Sequence, residues 1–232
     1  DEENYNTAIG SDALGGATSC AQAVAVGAGA MIAAATQDGT VAIGAEALAN
    51  VTSGGKNTAV GYQAGNAITT GTDNTALGYG ALDVLDTGNE NVAIGLNALG
   101  AATHDSCNWN VVIGSGAGLG IADVAVADCI IIGGQASDAA MTAAAAGTVA
   151  IGRSALGALT SGASNTAVGY QAGAALTTTS ENTFVGHSTG VAITGTGNTA
   201  MGVNALGDGS QDSALSYCVA IGRGALTTAD ST

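Results

Sequence analysis

The chain has 232 residues, of which 38 are glycine and none is proline, and its formal net charge is −15 because only Lys56, Arg153 and Arg223 are basic. This acidic excess argues against nucleic acid and against an anionic membrane surface as partners, since binding to phosphate groups needs lysine and arginine. No apolar run reaches the roughly 18 residues that span a bilayer, so we expect no membrane insertion.

One short pattern repeats along the whole chain. A glycine follows an aliphatic residue, an alanine usually stands two residues before that glycine, and another alanine stands three residues after it. The anchor glycines are Gly10, Gly27, Gly44, Gly61, Gly78, Gly95, Gly114, Gly133, Gly152, Gly169, Gly186, Gly202 and Gly222. They are mostly 17 residues apart, with steps of 16 to 20. Thirteen copies fill the chain, which predicts a single domain over residues 1–232 without a linker.

A step of this length is too short for a helical-hairpin repeat, which takes about 33 residues or more. It suits one coil of a parallel β-solenoid, with neighbouring coils about 4.8 Å apart along the axis. We therefore predict an all-β parallel β-solenoid, or β-roll, of about 13 coils with 16–20 residues per coil. Each coil is expected to hold two short strands, with the anchor glycine at the bend between them.

Alternation along a strand separates two faces in each copy. In the copy Val92, Ala93, Ile94, for example, the two aliphatic residues share one face and the alanine lies on the other. We expect the aliphatic face to form the inner core and the alanine face to pack against a second surface. Four residues before the anchor glycine, asparagine dominates, as in Asn57 and Asn74. Stacked asparagines predict a ladder of side-chain hydrogen bonds along the axis.

The repeats resemble those of a known family. The segments NTAVGYQAG (57–65 and 165–173), TVAIG (40–44 and 148–152) and NVAIGLNAL (91–99) are similar to repeats in the heads of trimeric autotransporter adhesins, and also to repeats in some phage tail fibres. This resemblance implies a left-handed parallel β-roll, usually trimeric, that works as an adhesive or structural element on a surface.

A second, longer period divides the chain into halves. The block from Thr40 to Gly78 matches the block from Thr148 to Gly186, which lies 108 residues, or six coils, further on. Aromatic residues five before the anchor glycine fall six coils apart, at Tyr5, Trp109 and Tyr217. The chain therefore reads as two six-coil halves, about 1–108 and 109–216, with a terminal coil that echoes the first. We interpret these three aromatics as candidates for subunit junctions.

The four cysteines follow a similar pattern. Cys107 and Cys129 lie in consecutive coils, and we predict an intrachain disulfide between them. Cys20 and Cys218 lie eleven coils apart, roughly 53 Å, so they cannot pair within one straight rod. They could pair between subunits stacked head to tail if the last coil of one takes the place of the first coil of the next. Paired cysteines would indicate an oxidising, extracellular location.

Side chains one residue after the anchor glycine are expected to point outward. They are candidates for contact with a glycan, a protein receptor or a neighbouring filament, and comprise Tyr62, Tyr79, Arg153, Tyr170, His187 and Arg223.

A threonine column at Thr52, Thr69, Thr160 and Thr177 raises the remote alternative of an ice-binding solenoid. No catalytic motif is present, so we expect no catalytic residues, no enzyme activity and no cofactor. Calcium at acidic turns is a minor alternative.

These observations favour a structural subunit of an extracellular fibre or filament, located on a cell or virion surface. We expect it to assemble with copies of itself head to tail and to serve surface attachment. The alternative is a trimeric adhesin head or phage tail fibre segment that binds a receptor on a host surface.

Overall fold

A computed structural model describes residues 5–34, 36–101, 107–121, 126–142, 145–207 and 214–227. These residues contain no α-helix and thirteen strands of three residues each. The strands are β1 (Thr7–Ile9), β2 (Val24–Val26), β3 (Val41–Ile43), β4 (Thr58–Val60), β5 (Thr75–Leu77), β6 (Val92–Ile94), β7 (Val111–Ile113), β8 (Ile130–Ile132), β9 (Val149–Ile151), β10 (Thr166–Val168), β11 (Thr183–Val185), β12 (Thr199–Met201) and β13 (Val219–Ile221). Each coil of the molecule is numbered after its strand.

The strands form one parallel sheet in chain order, which makes the molecule a parallel β-solenoid of about 12 turns. Each strand pairs in register with the equivalent residues of the next coil, as in Thr58 with Thr75 and Ala59 with Ala76. The register holds where a coil is longer, since Val92 pairs with Val111 across a 19-residue step. The predicted fold class is therefore confirmed. The sheet also continues without a break from β6 to β7, where the two halves meet.

Among the described residues each coil holds one strand, so the prediction of two strands per coil was wrong. The segment after the anchor glycine forms turns instead. The alanine three residues after the glycine still points inward, and Ala47, Ala98 and Ala155 are fully buried. The next residue is often a buried leucine in the left-handed backbone region, such as Leu48 (φ 49°) or Leu82 (φ 56°). These leucines form the wall of the core opposite the sheet.

The two faces of the sheet are the reverse of those expected from sequence. The middle residue of the strand, alanine in most coils, points inward, and Ala42, Ala93 and Ala150 are fully buried. The flanking positions point outward: Ile43 and Leu77 keep 39% and 45% of their surface exposed. A small residue at this position suits a thin coil in which leucines of the opposite wall fill the remaining space, and the larger Phe184 stands opposite a glycine, Gly190. The aliphatic column therefore lies outside the core.

The predicted asparagine ladder is confirmed and lies inside the coil. Asn74 is buried, its backbone N–H and its Nδ2 both donate to Oδ1 of Asn57, at 2.9 and 3.1 Å, and its Nδ2 also donates to the carbonyl of Gly88 at 2.7 Å. Asn91 and Asn110 continue the ladder in the same way. Because buried polar groups must be paired, these bonds fix the axial spacing of the coils from within.

The anchor glycines form a second axial column. Gly61 has φ 138°, and a Cβ atom placed on it would lie 2.5 Å from the carbonyl oxygen of Gly78 in the next coil. Both the backbone conformation and the close approach of the next coil therefore require glycine at this bend. The structure thus agrees with the predicted bend, although turns rather than a second strand follow it.

Candidate functional site

The outward face of the sheet is a continuous uncharged surface along the thirteen strands. We define the outward face as the first and third residues of all thirteen strands. These residues are threonine, valine, isoleucine, leucine or methionine, and none is charged. Several remain substantially exposed, including Ile130 at 40% and Met201 at 49%. The sequence shows that no charged residue occupies these two columns. That absence of charge led to the prediction that they lie in the core.

The side chains directly after the anchor glycines form a corner column beside the outward face. Tyr62 and Tyr79 stack with ring centroids 5.4 Å apart, and Tyr170 and His187 stack at 5.1 Å. All four rings lie on the exterior. Arg153 occupies this column in coil 9, one coil before Tyr170, and is also exposed.

Arg223, the remaining predicted outward residue, is exposed in coil 13, two coils or about 9.6 Å beyond His187. The structure therefore brings the predicted outward side chains together as two ladders, one in each half, with Arg223 separate. The ladders are six coils, or about 29 Å, apart along the axis.

The three predicted junction aromatics share another corner of the coil. Tyr5, Trp109 and Tyr217 are all exposed, and Trp109 and Tyr217 have φ of 56° and 59°, which is unusual for bulky side chains. Trp109 lies in the middle of the rod, where its Nε1 donates to Oε2 of Glu90 at 2.8 Å. Tyr5 and Tyr217 lie in the first and last coils. A junction role for these residues stays a prediction.

The four cysteines are thiols in this structure, so the disulfides predicted from sequence are not formed here. Cys20, Cys107 and Cys129 are buried, and Cys218 is half-buried. Burial raises the pKa of the Cys129 thiol, and Asp128 and Cys107 raise it further, against backbone hydrogen bonds from Thr148 and Gly147 that lower it. Pairing of Cys107 with Cys129, or of Cys20 with Cys218, stays a prediction.

Three of the four threonines proposed for ice binding have their hydroxyls engaged within the protein. Oγ1 of Thr52 donates to the carbonyl of Thr69 at 3.2 Å, and Oγ1 of Thr160 donates to that of Thr177 at 2.9 Å. The hydroxyl of Thr69 donates to Asp86. This column therefore lends no support to an ordered water layer.

Ionisable side chains are scattered over the described residues. Among these residues, no group of three or more His, Cys, Asp or Glu side chains is placed to hold a metal ion. Burial raises the pKa of the Asp83 carboxyl, which stands alone rather than in an acid–base pair. A shallow pocket of about 270 Å³ lies between the two aromatic ladders and is lined by Leu96, Ser115, Leu119 and Asp138 among others. Calcium binding and the absence of enzyme activity stay predictions.

The two ends of the sheet carry complementary backbone groups. Inside the sheet, the first residue of a strand donates its N–H to the next coil, as Val41 does to the carbonyl of Asn57. The anchor glycine donates to the preceding coil, as Gly61 does to the carbonyl of Ile43. By the same pattern, Val219 at the last strand has a donor pointing off the end, and Gly10 at the first strand has one pointing the opposite way.

The fold defines the chain as a parallel β-solenoid repeat protein. No family model, no curated protein and no solved structure matches it. The resemblance to adhesin heads and tail fibres therefore rests on the short repeats, with which the solenoid is compatible. No helix long and apolar enough to cross a membrane occurs in the described ranges.

Proposed function

We propose that this chain is a non-enzymatic structural element of an extracellular fibre, whose copies pack side by side through the outward face. The observation that carries the proposal is that this face is free of charge along all thirteen strands of a chain with a net charge of −15. Elsewhere, like charges keep copies apart, whereas contact through this face buries no charged group.

The size of the outward face supports this assembly. Twelve strand spacings make the face about 58 Å long, and three-residue strands make it about 10 Å wide. Each copy therefore offers roughly 600 Å², which is at the lower end of what each partner buries in a stable interface. Exposed apolar patches of this extent mark interaction surfaces.

The partner that this face fits best is a second copy of the same chain. Its side chains recur with the coil spacing of about 4.8 Å, and only a surface with the same period matches them along the whole rod. Three copies closed around a threefold axis, as the adhesin-head resemblance implies, would cover the outward face of each. The corner columns would then remain available on the surface of a fibre attached to a cell or virion.

Sedimentation equilibrium of the purified chain tests the proposal. We expect a trimer for the unaltered protein and a monomer for Ile130→Asp, because three buried carboxylates would meet near the axis. The matched control is Ile32→Asp, since Ile32 is equally exposed (42% against 40%) but lies off the outward face. An unaltered protein that is monomeric, or an Ile130→Asp variant that associates normally, would contradict it.

Head-to-tail assembly is a second candidate, and a different observation favours it. The N–H of Val219 and the carbonyl of Ile221 find no partner among the described residues, and a copy translated along the axis would offer the carbonyl of Asn6 and the N–H of Gly10 in the same register. Simple end-to-end stacking would leave Cys218 two coils, roughly 9.6 Å, from Cys20 of the next copy. The intersubunit disulfide therefore needs the last coil to replace the first coil of the next copy.

Non-reducing electrophoresis and electron microscopy test this second candidate. Long filaments, with a ladder of multimers that collapses on reduction, would support the head-to-tail arrangement and its disulfide. Filaments without the ladder would support stacking alone. Discrete short rods under both conditions would rule it out.

A further inference from the structure

One stretch of the corner column carries an arginine and two aromatic hydrogen-bond donors in an otherwise acidic chain. Arg153, Tyr170 and His187 occupy this column in coils 9, 10 and 11. The N–H of Gln171 donates to the carbonyl of Arg153 at 3.0 Å, and the N–H of Ser188 donates to that of Tyr170 at 2.8 Å. These bonds hold the three side chains on successive rungs, about 4.8 Å apart.

The stacking of the rings determines what this ladder presents to solvent. The Tyr170 and His187 rings stack along the rod, with centroids 5.1 Å apart and planes 26° apart. Stacking covers the facing sides of the two rings and leaves their edges uncovered, and both residues are exposed. A guanidinium, a phenol hydroxyl and an imidazole N–H therefore form a row of hydrogen-bond donors, which we call the donor row.

The column next to the donor row carries no acid, and the nearby carboxylate of Asp138 lies to one side, 3.5 Å from where a Cβ atom on Gly157 would stand. Among the described residues, Arg153 makes no ion pair, although it is one of only three basic residues in the chain. The adjacent column in coils 9 to 12 contains only uncharged polar residues, namely Ser154, Gln171, Ser188 and Asn204. An anion approaching the rod would meet attraction here and repulsion over most of the remaining surface.

The equivalent ladder in the first half has no cation and lies beside an acidic residue. Its ladder consists of Ala45, Tyr62 and Tyr79 in coils 3 to 5, so alanine stands where the second half has arginine. The adjacent column carries Glu46, whose Oε2 accepts a hydrogen bond from Nε2 of Gln63 at 2.8 Å. This ladder has stacked aromatics but no cation, and it should reject anions.

We propose that the donor row of Arg153, Tyr170 and His187 binds a carboxylate-bearing sugar of an acidic surface polysaccharide. The arginine fork pairs with the sugar carboxylate, and the phenol and imidazole donate to neighbouring sugar oxygens. A linear polymer suits a row of donors that runs along the rod. The proposal does not depend on side-by-side assembly, because the donor row lies off the outward face.

Binding of a hyaluronan tetrasaccharide, which carries glucuronic acid, tests the proposal by titration calorimetry at low ionic strength. We expect Arg153→Ala, which copies Ala45 of the first half, to weaken binding at least about tenfold, since a hydrogen bond to a charged group is lost. Tyr170→Ala should also weaken it severalfold. The matched control Tyr62→Ala should bind as the unaltered protein does, and all variants should sediment alike.

Two further probes test whether binding needs both the carboxylate and the sugar. The carboxyl-reduced tetrasaccharide should bind at least about tenfold more weakly, because it has no charge for Arg153 to pair with. A poly-glutamate peptide should also bind more weakly than the sugar. Equal binding of either probe, equal loss with Tyr62→Ala, or no binding of the acidic sugar at millimolar concentration would each overturn the proposal.

Discussion

Coil 5 and coil 11 occupy equivalent places in the two halves, 108 residues apart, yet they fill their interiors differently. Coil 5 has Ala76 in its strand and Leu82 in the opposite wall. Coil 11 has Phe184 in its strand and Gly190 opposite, and a Cβ atom on Gly190 would lie 2.5 Å from Cε2 of Phe184. In these two coils a large side chain on one wall faces a small one on the other, so the pair of residues rather than either one alone fills this part of the interior.

The largest effect expected from this comparison concerns Phe184. Phe184→Ala should lower the free energy of unfolding by about 3–5 kcal/mol, because it leaves a cavity beside Gly190. Adding Gly190→Leu recreates the Ala76 and Leu82 pair of coil 5 and should restore most of that loss. Urea denaturation followed by circular dichroism, at one protein concentration, measures both changes.

The single variant Gly190→Leu is the control for this pair. It should destabilise the protein while Phe184 is present, because the two side chains would overlap. The backbone itself should tolerate leucine, since Gly190 has φ 61° and Leu82 has φ 56°. A double variant whose destabilisation equals the sum of the two single changes would contradict the idea of a shared interior volume.

A smaller loss of unfolding free energy is expected in the asparagine ladder, which is the same in the two halves. Asn74 and its equivalent Asn182 both accept two hydrogen bonds from the asparagine of the next coil. Replacing either with alanine leaves buried donors without partners and should cost about 2–4 kcal/mol in each half.

Asn50→Ala serves as the control for the ladder, since Asn50 is exposed and bonds to Asn66 at 3.0 Å. It should cost less than about 1 kcal/mol. The losses of unfolding free energy caused by Asn74→Ala and Asn182→Ala should be similar. If they differ from each other by more than either differs from the loss caused by Asn50→Ala, the ladder does not contribute equally to the two halves. The same urea titrations measure all three variants.

The coil, the parallel register, the asparagine ladder and the glycine column could be predicted from the sequence, because each depends on the spacing of one residue type. The direction of the faces could not. Alternation shows that Val92 and Ile94 share a face, but the thin cross-section decides that Ala93 points inward. The buried leucines in the left-handed region were also missed, since glycine and asparagine are the usual residues there.

Of the two candidate sites, one could be predicted from the sequence and the other could not. The corner column was predicted because its aromatic residues recur one after the anchor glycine, and the stacking of Tyr62 on Tyr79 follows from the register. The outward face was missed because its aliphatic residues were assigned to the core. Hydrophobicity alone does not tell a core position from an interface, and the absence of charge is common to both.

The smallest effect concerns the thiols and leaves stability unchanged. With the protein reduced and native, one thiol per chain should react quickly with a maleimide, at Cys218, because Cys20, Cys107 and Cys129 are buried. The raised pKa of Cys129 slows it further, since less thiolate is present at a given pH. Cys218→Ser should remove the fast phase, and a fast phase of two or more thiols would contradict the buried placement.

The same measurement separates the two modes of assembly. Side-by-side packing through the outward face leaves the last coil open, so labelling of Cys218 should not depend on protein concentration. Head-to-tail stacking would cover Cys218 with the first coil of the next copy, so the fast phase should shrink as concentration rises. Ile130→Asp then distinguishes them fully: it should abolish lateral association and leave end-to-end protection of Cys218 intact.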